Sequence, residues 1–326
     1  MLLKKFIDLC QNEKIFYGRK IVVAVSGGAD SLALADLLNR SRQKFKNEIC
    51  IAHYEHGLRG EESLADAEFV EEFAKNLGVE FFCEHGDVKK FSAENKISVE
   101  TAARILRYEF LNKVRLKKIF DTIALAHHAD DQAETVLMKF LRGASSAGLS
   151  AMKFFAVTED YGLLIRPLLK FKKVELEEYC RKRNFSPRID KTNFQTDATR
   201  NKIRLELLPT LKNFNPAIVE TLCRFAEISA EETEFINSEV EKIFPAVVEN
   251  HELLQKEFLK LQPALQRAVI KKFVELETGS IKDFGFVHFE GVRKVLTENL
   301  SGVELPKKFR AVLKRGKLSI TKNFFL

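Results

Sequence analysis

The stretch Ser26-Gly27-Gly28-Ala29-Asp30-Ser31 combines residue types suited to holding phosphate. It follows a short apolar run and opens a helical pattern. Gly27 and Gly28 lack Cβ atoms, so the backbone there can take φ > 0 and approach a ligand closely. A helix that starts at this point offers free N–H groups and the positive end of its dipole. Ser26 and Ser31 add hydroxyls. Asp30 is out of place beside phosphate unless a cation intervenes, and a magnesium ion or a cationic substrate would resolve the repulsion. The alternative is an ordinary strand–turn–helix in which Asp30 caps the helix. The loop matches neither G-x-x-x-x-G-K-[ST] nor G-x-G-x-x-G.

Four further clusters carry chemistry. In "AHHADDQAET", Asp131 and Glu134 are three apart, and Asp130 and Glu134 four apart. Both spacings put carboxylates on one helical face. Such a group needs a cation, for which a lysine ammonium or magnesium would serve, or else it is a solvated acidic helix start. His127 and His128 raise a metal reading, but the spacing matches no zinc pattern. In "ETAARILRYEF", Arg104 and Arg107 share a helical face, which suits phosphate or carboxylate pairing. A salt-bridged surface is the alternative, with Glu100 four before Arg104 as a ready partner. In "HYEHGLRGEES", His53, His56 and Arg59 could line a cleft. Further on, Arg188, Arg200, Lys202 and Arg204 surround a polar Asp190–Asn193 turn, a pattern suited to RNA contacts or to a basic solvated helix.

These clusters need a frame. Residues 20–25, 48–54, 79–85 and 120–126 read as buried strands, and amphipathic stretches at 31–40, 62–77, 98–118 and 129–142 lie among them. Such alternation predicts an α/β fold, a doubly wound parallel sheet with helices on both faces. The chemistry-bearing stretches then fall beyond the carboxyl ends of the strands, where ligands bind in such sheets. Ile218, Leu222, Phe225 and Ile228 recur at near-helical spacing after Asn215-Pro216. The expected division is therefore 1–214, an α/β domain, and 215–326, a smaller, mainly helical C-terminal domain that ends in short strands.

Composition bounds the class. The 326 residues, 45% hydrophobic and 30% charged, suffice for two domains with cores. No apolar run approaches a membrane span, and the first residues do not read as a secretory signal. The five cysteines are scattered, odd in number and in no C-x-x-C pair, which fits a reducing cytoplasm and suggests no disulfide framework or cysteine-based metal site. The net charge of +7 is uneven: zero over residues 1–150, +6 over 151–215 and +1 over 216–326. A basic stretch in the middle attracts polyanions or forms a solvated surface.

The hexapeptide 26–31 resembles the S-G-G-x-D-S signature of the PP-loop ATP pyrophosphatases. The series "HYEHGLR", "AARILRY", "AHHADDQAET", "FLRGASSAGLSAM", "RPLL", "DKTN" and "TRNKIR…LP", together with the loop, resembles the tRNA(Ile)-lysidine synthetases over residues 20–212. Glu55 is a departure, since that family commonly carries Asn or Asp there. The resemblance implies a PP-loop, Rossmann-like catalytic domain and a C-terminal tRNA-binding domain after residue 216. Longer members carry a second small domain for which this chain has no room, so it implies a short form. It also implies ligation of free L-lysine to C2 of the first anticodon cytidine of tRNA(Ile) bearing CAU. ATP and Mg2+ are the implied cofactors, and the RNA is adenylated before lysine displaces AMP.

Residue by residue, the resemblance implies that Ser26, Gly27, Gly28, Ala29, Asp30 and Ser31, with His53 and His127, hold ATP. Asp30 coordinates magnesium or positions the lysine. Asp130, Asp131 and Glu134 hold the lysine, and Asp131 or Glu134 accepts its proton. Arg104 and Arg107 contact AMP or the lysine carboxylate, and Arg104 is expected among the catalytic residues. Arg188, Asn193, Arg200 and Arg204 contact the tRNA. No membrane partner is expected, and the resembled enzymes are often homodimers. Rival readings are a PP-loop tRNA thiolase, against which the lack of C-x-x-C counts, and a non-catalytic RNA-binding protein with a relic loop. A glutamine-dependent amidotransferase partnership finds no nucleophile cysteine context here.

Overall fold

The computed structural model describes residues 1–13, 16–58, 61–188 and 198–322, except for the side chains of residues 61–63 and 198. The chain opens with helix α1 (Leu2–Asn12) and then alternates β1 (Lys20–Ala24), α2 (Ala29–Phe45), β2 (Glu48–Glu55), α3 (Glu61–Leu77) and β3 (Glu80–His85). After α4 (Val88–Asn95) and α5 (Val99–Lys117) come β4 (Thr122–Ala124), α6 (Ala129–Leu141) and the short α7 (Ser146–Leu149). A hairpin of β5 (Phe155–Thr158) and β6 (Gly162–Ile165) leads to α8 (Lys173–Lys182).

The six strands form one sheet in the order β3-β2-β1-β4-β6-β5. All its pairings are parallel except that of the edge strand β5 with β6. Alternate residues of β1 serve opposite cores, as the period of a strand requires. Ile21 and Val23 join residues of α1, α2, α3 and α8 on one face, while Val22 joins those of α4 and α5 on the other. This is the doubly wound α/β arrangement expected from the alternation of elements. The hairpin lies outside the expected strands. Its segments are only four residues long, and Phe155 and Val157 on the edge strand are exposed, so they leave little apolar pattern.

The order of the sheet reverses between β1 and β4, and a crevice at the carboxyl ends of two such strands is the usual ligand site of an open α/β sheet. The loop 26–31 follows β1, and His127-His128 follow β4. Two internal ties steady α2 behind the loop. Its fully buried Asp36 accepts hydrogen bonds from the Tyr179 hydroxyl and the Arg183 guanidinium of the α8 region.

Helix α9 (Ala198–Lys202) runs through a π-helical turn (Ile203–Leu207) into α10 (Leu208–Phe214). Pro209 has no N–H to give to the carbonyl four residues back, and the turn before it is widened. Ile203 and Leu208 pack with Ala129, Ala133 and Leu137, a stripe along α6, and with Val219 at the start of α11 (Ile218–Val247). This small core sets α9 and the π turn beside α6. Ile218 and Leu222 pack against it, whereas Phe225 and Ile228 of the same periodic set are exposed.

The chain divides into two compact units, Met1–Glu227 and Ile228–Leu326, with the division inside α11. In the second unit come β7 (Val248–Glu249), β8 (Glu252–Leu254), α12 (Gln255–Phe258), α13 (Pro263–Thr278) and α14 (Phe286–Thr297). They are followed by β9 (Gly302–Leu305), β10 (Phe309–Lys314) and β11 (Lys317–Lys322). Its sheet is antiparallel, in the order β7-β8-β11-β10-β9, and shares a core with Val269, Phe273, Val292 and Leu296. Among the described residues no helix is long and apolar enough to cross a membrane.

Candidate functional site

The loop after β1 is built as a cradle. Gly27 takes φ +87, a conformation that costs an L side chain, and Gly28 is the extended residue that caps α2. The Ser31 hydroxyl donates to the Gly28 carbonyl at 2.9 Å and accepts from the Ser26 N–H at 3.1 Å, which closes the turn on itself. Ser26 stays exposed and Ala29 begins the helix. His53 is buried beneath, its Nδ1 2.8 Å from the Val25 carbonyl, and burial lowers its pKa. Arg188 donates its backbone N–H to the Gly27 carbonyl at 3.0 Å, and its side chain lies 3.7 Å from where a Cβ on Gly27 would sit. Arg188, expected at the RNA, thus packs on the loop.

Asp30 links the loop to the second cluster. Its Oδ2 is 3.4 Å from His128 Nε2, and the same nitrogen is 3.4 Å from Asp131 Oδ2. Its Oδ1 is buried without a hydrogen-bond partner. His128 caps α6 and exchanges contacts with Asp131 in a capping box. Burial alone would lower the His128 pKa, but Asp30, Asp131 and Asp130 outweigh it and the pKa is raised.

Glu134, one turn further along α6, is 1% exposed and fully engaged. It accepts from Arg200 Nε at 2.8 Å, Arg204 Nε at 2.6 Å and Arg204 Nη2 at 3.0 Å. Asp131 Oδ1 lies 3.4 Å from both guanidiniums. For Arg204, burial would lower the pKa, but Glu134, Asp131 and Asp30 raise it. Asp131 and Glu134, two of the three carboxylates expected to hold lysine, therefore form one charge-balanced group with two arginines expected to hold RNA.

A second group of arginines also acts on His127. Arg104 donates to the Tyr108 hydroxyl at 3.3 Å and lies over its ring. Arg107 lies over the same ring at 5.6 Å, and Arg166 donates to the Lys153 carbonyl at 3.0 Å. Among the described residues none of these three arginines forms an ion pair with a carboxylate, Glu100 included. Arg107 Nε, Arg166 Nε and His127 Nδ1 are buried without hydrogen-bond partners. Burial lowers the pKa of Arg107 and of Arg166. His127 is pushed well down by burial first and then by Arg166, Arg107, Arg104 and Arg200, so it is neutral.

Other expected residues stand apart. Asp130 accepts the Lys173 backbone N–H at 2.9 Å, a cap for α8. Asn193, the Asp190–Asn193 turn and Arg59 lie outside the described residues. Among the described residues no group of three or more His, Cys, Asp or Glu side chains could hold a metal by itself. Three residues here escaped the sequence reading: His128 as a bridge, Tyr108 as a hub and Arg166. Arg166 follows β6, a strand with no expectation attached, and only its place in "RPLL" gave a signal.

With this geometry in view, comparison with known proteins is informative. A family model described as a PP-loop domain matches residues 2–211. A tRNA(Ile)-lysidine synthase of Clostridium perfringens is 42% identical over 294 residues, 89% of this chain and 62% of that protein. One from Geobacter sulfurreducens is 37% identical over 298 residues, with the same shares. The chain thus spans about 62% of the length of these curated relatives. The solved structure of a U34-tRNA thiolase, NcsA from Methanococcus maripaludis with its [4Fe-4S] cluster, is similar with a TM-score of 0.58 and 20% identity. It covers 70% of this chain and 78% of that one, a likeness of fold.

Proposed function

The chain belongs to the PP-loop domain family, and on that premise we propose that it uses ATP to join L-lysine to C2 of the first anticodon cytidine of tRNA(Ile) bearing CAU. The curated relatives named as tRNA(Ile)-lysidine synthases support this reading. The observation that carries it is the chain of contacts from the phosphate cradle through Asp30 and His128 to Asp131. Through His128 it links Asp131 to the loop, which supports reading Asp131 as the acid that receives the amine.

The geometry supports the following division of labour. The N–H groups of Gly28, Ala29 and Asp30 and the exposed Ser26 hydroxyl would hold the outer phosphates. Asp30 Oδ1, buried and unpartnered, fits a magnesium ion carried by the nucleotide, which would neutralise charge on the phosphates. The cytidine O2 attacks the α-phosphorus, pyrophosphate leaves, and C2 becomes electrophilic. The lysine ε-ammonium must lose a proton before it attacks C2 and AMP departs. Asp131 is better placed than Glu134 to receive it, because its contacts to Arg200 and Arg204 are long whereas those of Glu134 are short. Arg200 and Arg204 face both acids and would hold them in place. A cytoplasmic enzyme acting as a homodimer is consistent with this reading.

The thiolase alternative needs reactive sulfur. Burial pushes the thiols of Cys50, Cys180 and Cys223 up to about 12 and raises those of Cys10 and Cys83. These cysteines are kept as thiols rather than poised as thiolates. The direct test supplies ATP, radiolabelled lysine and unmodified CAU tRNA(Ile). Label in the RNA, with release of AMP and pyrophosphate, is expected. No transfer at any magnesium concentration rejects the function.

A further inference from the structure

We infer that the free edge of the six-stranded sheet is a self-association surface, on which β5 pairs antiparallel with β5 of a second copy of this chain about a two-fold axis at Ala156. The inference is independent of the ligase reading. Among the described residues β5 is the last strand of its sheet. Arg166 donates its N–H to the Phe154 carbonyl at 2.6 Å, Ala156 stands opposite Leu164, and Thr158 stands opposite Gly162. In an antiparallel ladder the main-chain groups of successive residues alternate between the two sides of the strand. Phe154, Ala156 and Thr158 therefore direct theirs to β6, and Phe155 and Val157 turn theirs away from the sheet. Exposure alternates as well: Lys153, Phe155, Val157 and Glu159 are exposed, whereas Phe154, Ala156 and Thr158 are partly covered. Val157 is 80% exposed. Proteins usually blunt a free edge with a central charge, a proline or a bulge. This edge has an apolar centre and carries its charges only at the two ends.

The segment from Lys153 to Glu159 is complementary to itself when reversed. Outward main-chain groups of two copies meet only where odd positions face odd positions, so the axis can pass at Phe155, Ala156 or Val157. At Ala156, Phe155 faces the partner's Val157 and exchanges both hydrogen bonds with it, and Lys153 faces the partner's Glu159; each pairing occurs twice. At Phe155 the lysine would face the partner's Val157, and at Val157 the glutamate would face the partner's Phe155. Lys153 and Glu159 form no ion pair within the chain among the described residues, so both are available. A uniformly basic or acidic strand would satisfy one end only. A strand with the same opposed charges satisfies both, which makes a second copy the occupant.

The test follows self-association of the full chain by sedimentation velocity, without substrates. Wild type is expected to form a dimer that dissociates in the micromolar range, as suits a short interface. Lys153→Glu and Glu159→Lys each set like charges opposite one another at both ends and should weaken the dimer about tenfold. An equimolar mixture of the two variants restores opposite charges at both ends and should dimerise about as tightly as wild type. Val157→Pro removes an outward N–H without touching the β6 ladder and should give a folded monomer by circular dichroism. The charge variants change exposed side chains and serve if Val157→Pro does not fold. A wild type still monomeric at about 0.5 mM overturns the proposal. So does a dimer indifferent to the charge variants, or one that the mixture fails to restore. A chain that pairs in this way but transfers no lysine sinks the ligase reading alone. An active monomer sinks the paired edge alone.

Discussion

The two arginine groups beside the loop use the same side chain to opposite ends. Around Glu134, Arg200 and Arg204 find two carboxylates and short, charge-assisted hydrogen bonds. Around Tyr108, Arg104, Arg107 and Arg166 find a phenol, a carbonyl and one another. A buried guanidinium without a counter-charge costs several kcal/mol, so the first group is complete as it stands and the second is not. The contrast is one of charge balance: Arg200 and Arg204 meet carboxylates, whereas Arg104, Arg107 and Arg166 meet none in an ion pair among the described residues. Composition hides this, because both groups lie in stretches that the sequence shows merely as basic or amphipathic.

The largest effect should come from breaking the balanced group. Glu134→Gln leaves Arg200 and Arg204 facing a neutral amide and is expected to cost about 3 kcal/mol of stability, read from denaturant midpoints. Lysine incorporation should fall far more than ATP binding in this variant and in Asp131→Asn. Adding Arg204→Met to Glu134→Gln should restore part of the stability through a coupling of about 2 kcal/mol. Strict additivity would mean that the pair does not act as a unit, and the contrast between the groups would fail.

His128, between the cradle and the balanced group, sharpens the comparison through pH. Its folded pKa is raised above the unfolded value of about 6.5. Protonation therefore favours the folded state. The stabilisation is complete below about 6.5 and is lost as pH rises through the raised folded value. His128→Asn keeps a capping side chain but removes the charge. The melting temperature of wild type should exceed that of the variant in mild acid, and the gap should close with rising pH. A gap that widens toward alkaline pH would show that His128 is not the cation among these aspartates.

Much of this site was legible from sequence where pattern and chemistry coincide. The loop after β1, the carboxylates on one face of α6 and the helix at 218 all follow from glycine placement and helical spacing. The meeting of Glu134 with Arg200 and Arg204 was not legible, because it depends on α9 packing on α6 some seventy residues away. Spacing rules reach only three or four residues. Arg166 escaped for another reason. It stands between a short strand pair that carries little periodic signal and a proline, and an arginine there looks like any exposed cation until its neighbours are seen. The backbone bond from Arg188 to the Gly27 carbonyl is likewise a long-range contact that no local pattern announces.

The smallest effect is the most diagnostic. Arg107→Met removes a guanidinium whose Nε has no partner and that forms no ion pair with a carboxylate among the described residues. Methionine fills a similar stem volume without the charge. Removing an arginine usually destabilises, because a salt bridge or a hydrogen bond goes with it. Here the lost contact with the Tyr108 ring is set against relief from desolvation and from repulsion by Arg104. The ligand-free variant should therefore be as stable as wild type or more stable, by up to about 1 kcal/mol. His127 should also regain part of its basicity, since Arg107 is among the charges that depress it. Its titration, followed by NMR, would move up toward the ordinary histidine range. A loss of stability as large as that of Glu134→Gln, with His127 unmoved, would mean that the arginines at Tyr108 serve the fold as those at Glu134 do. The distinction between the two groups would then be wrong.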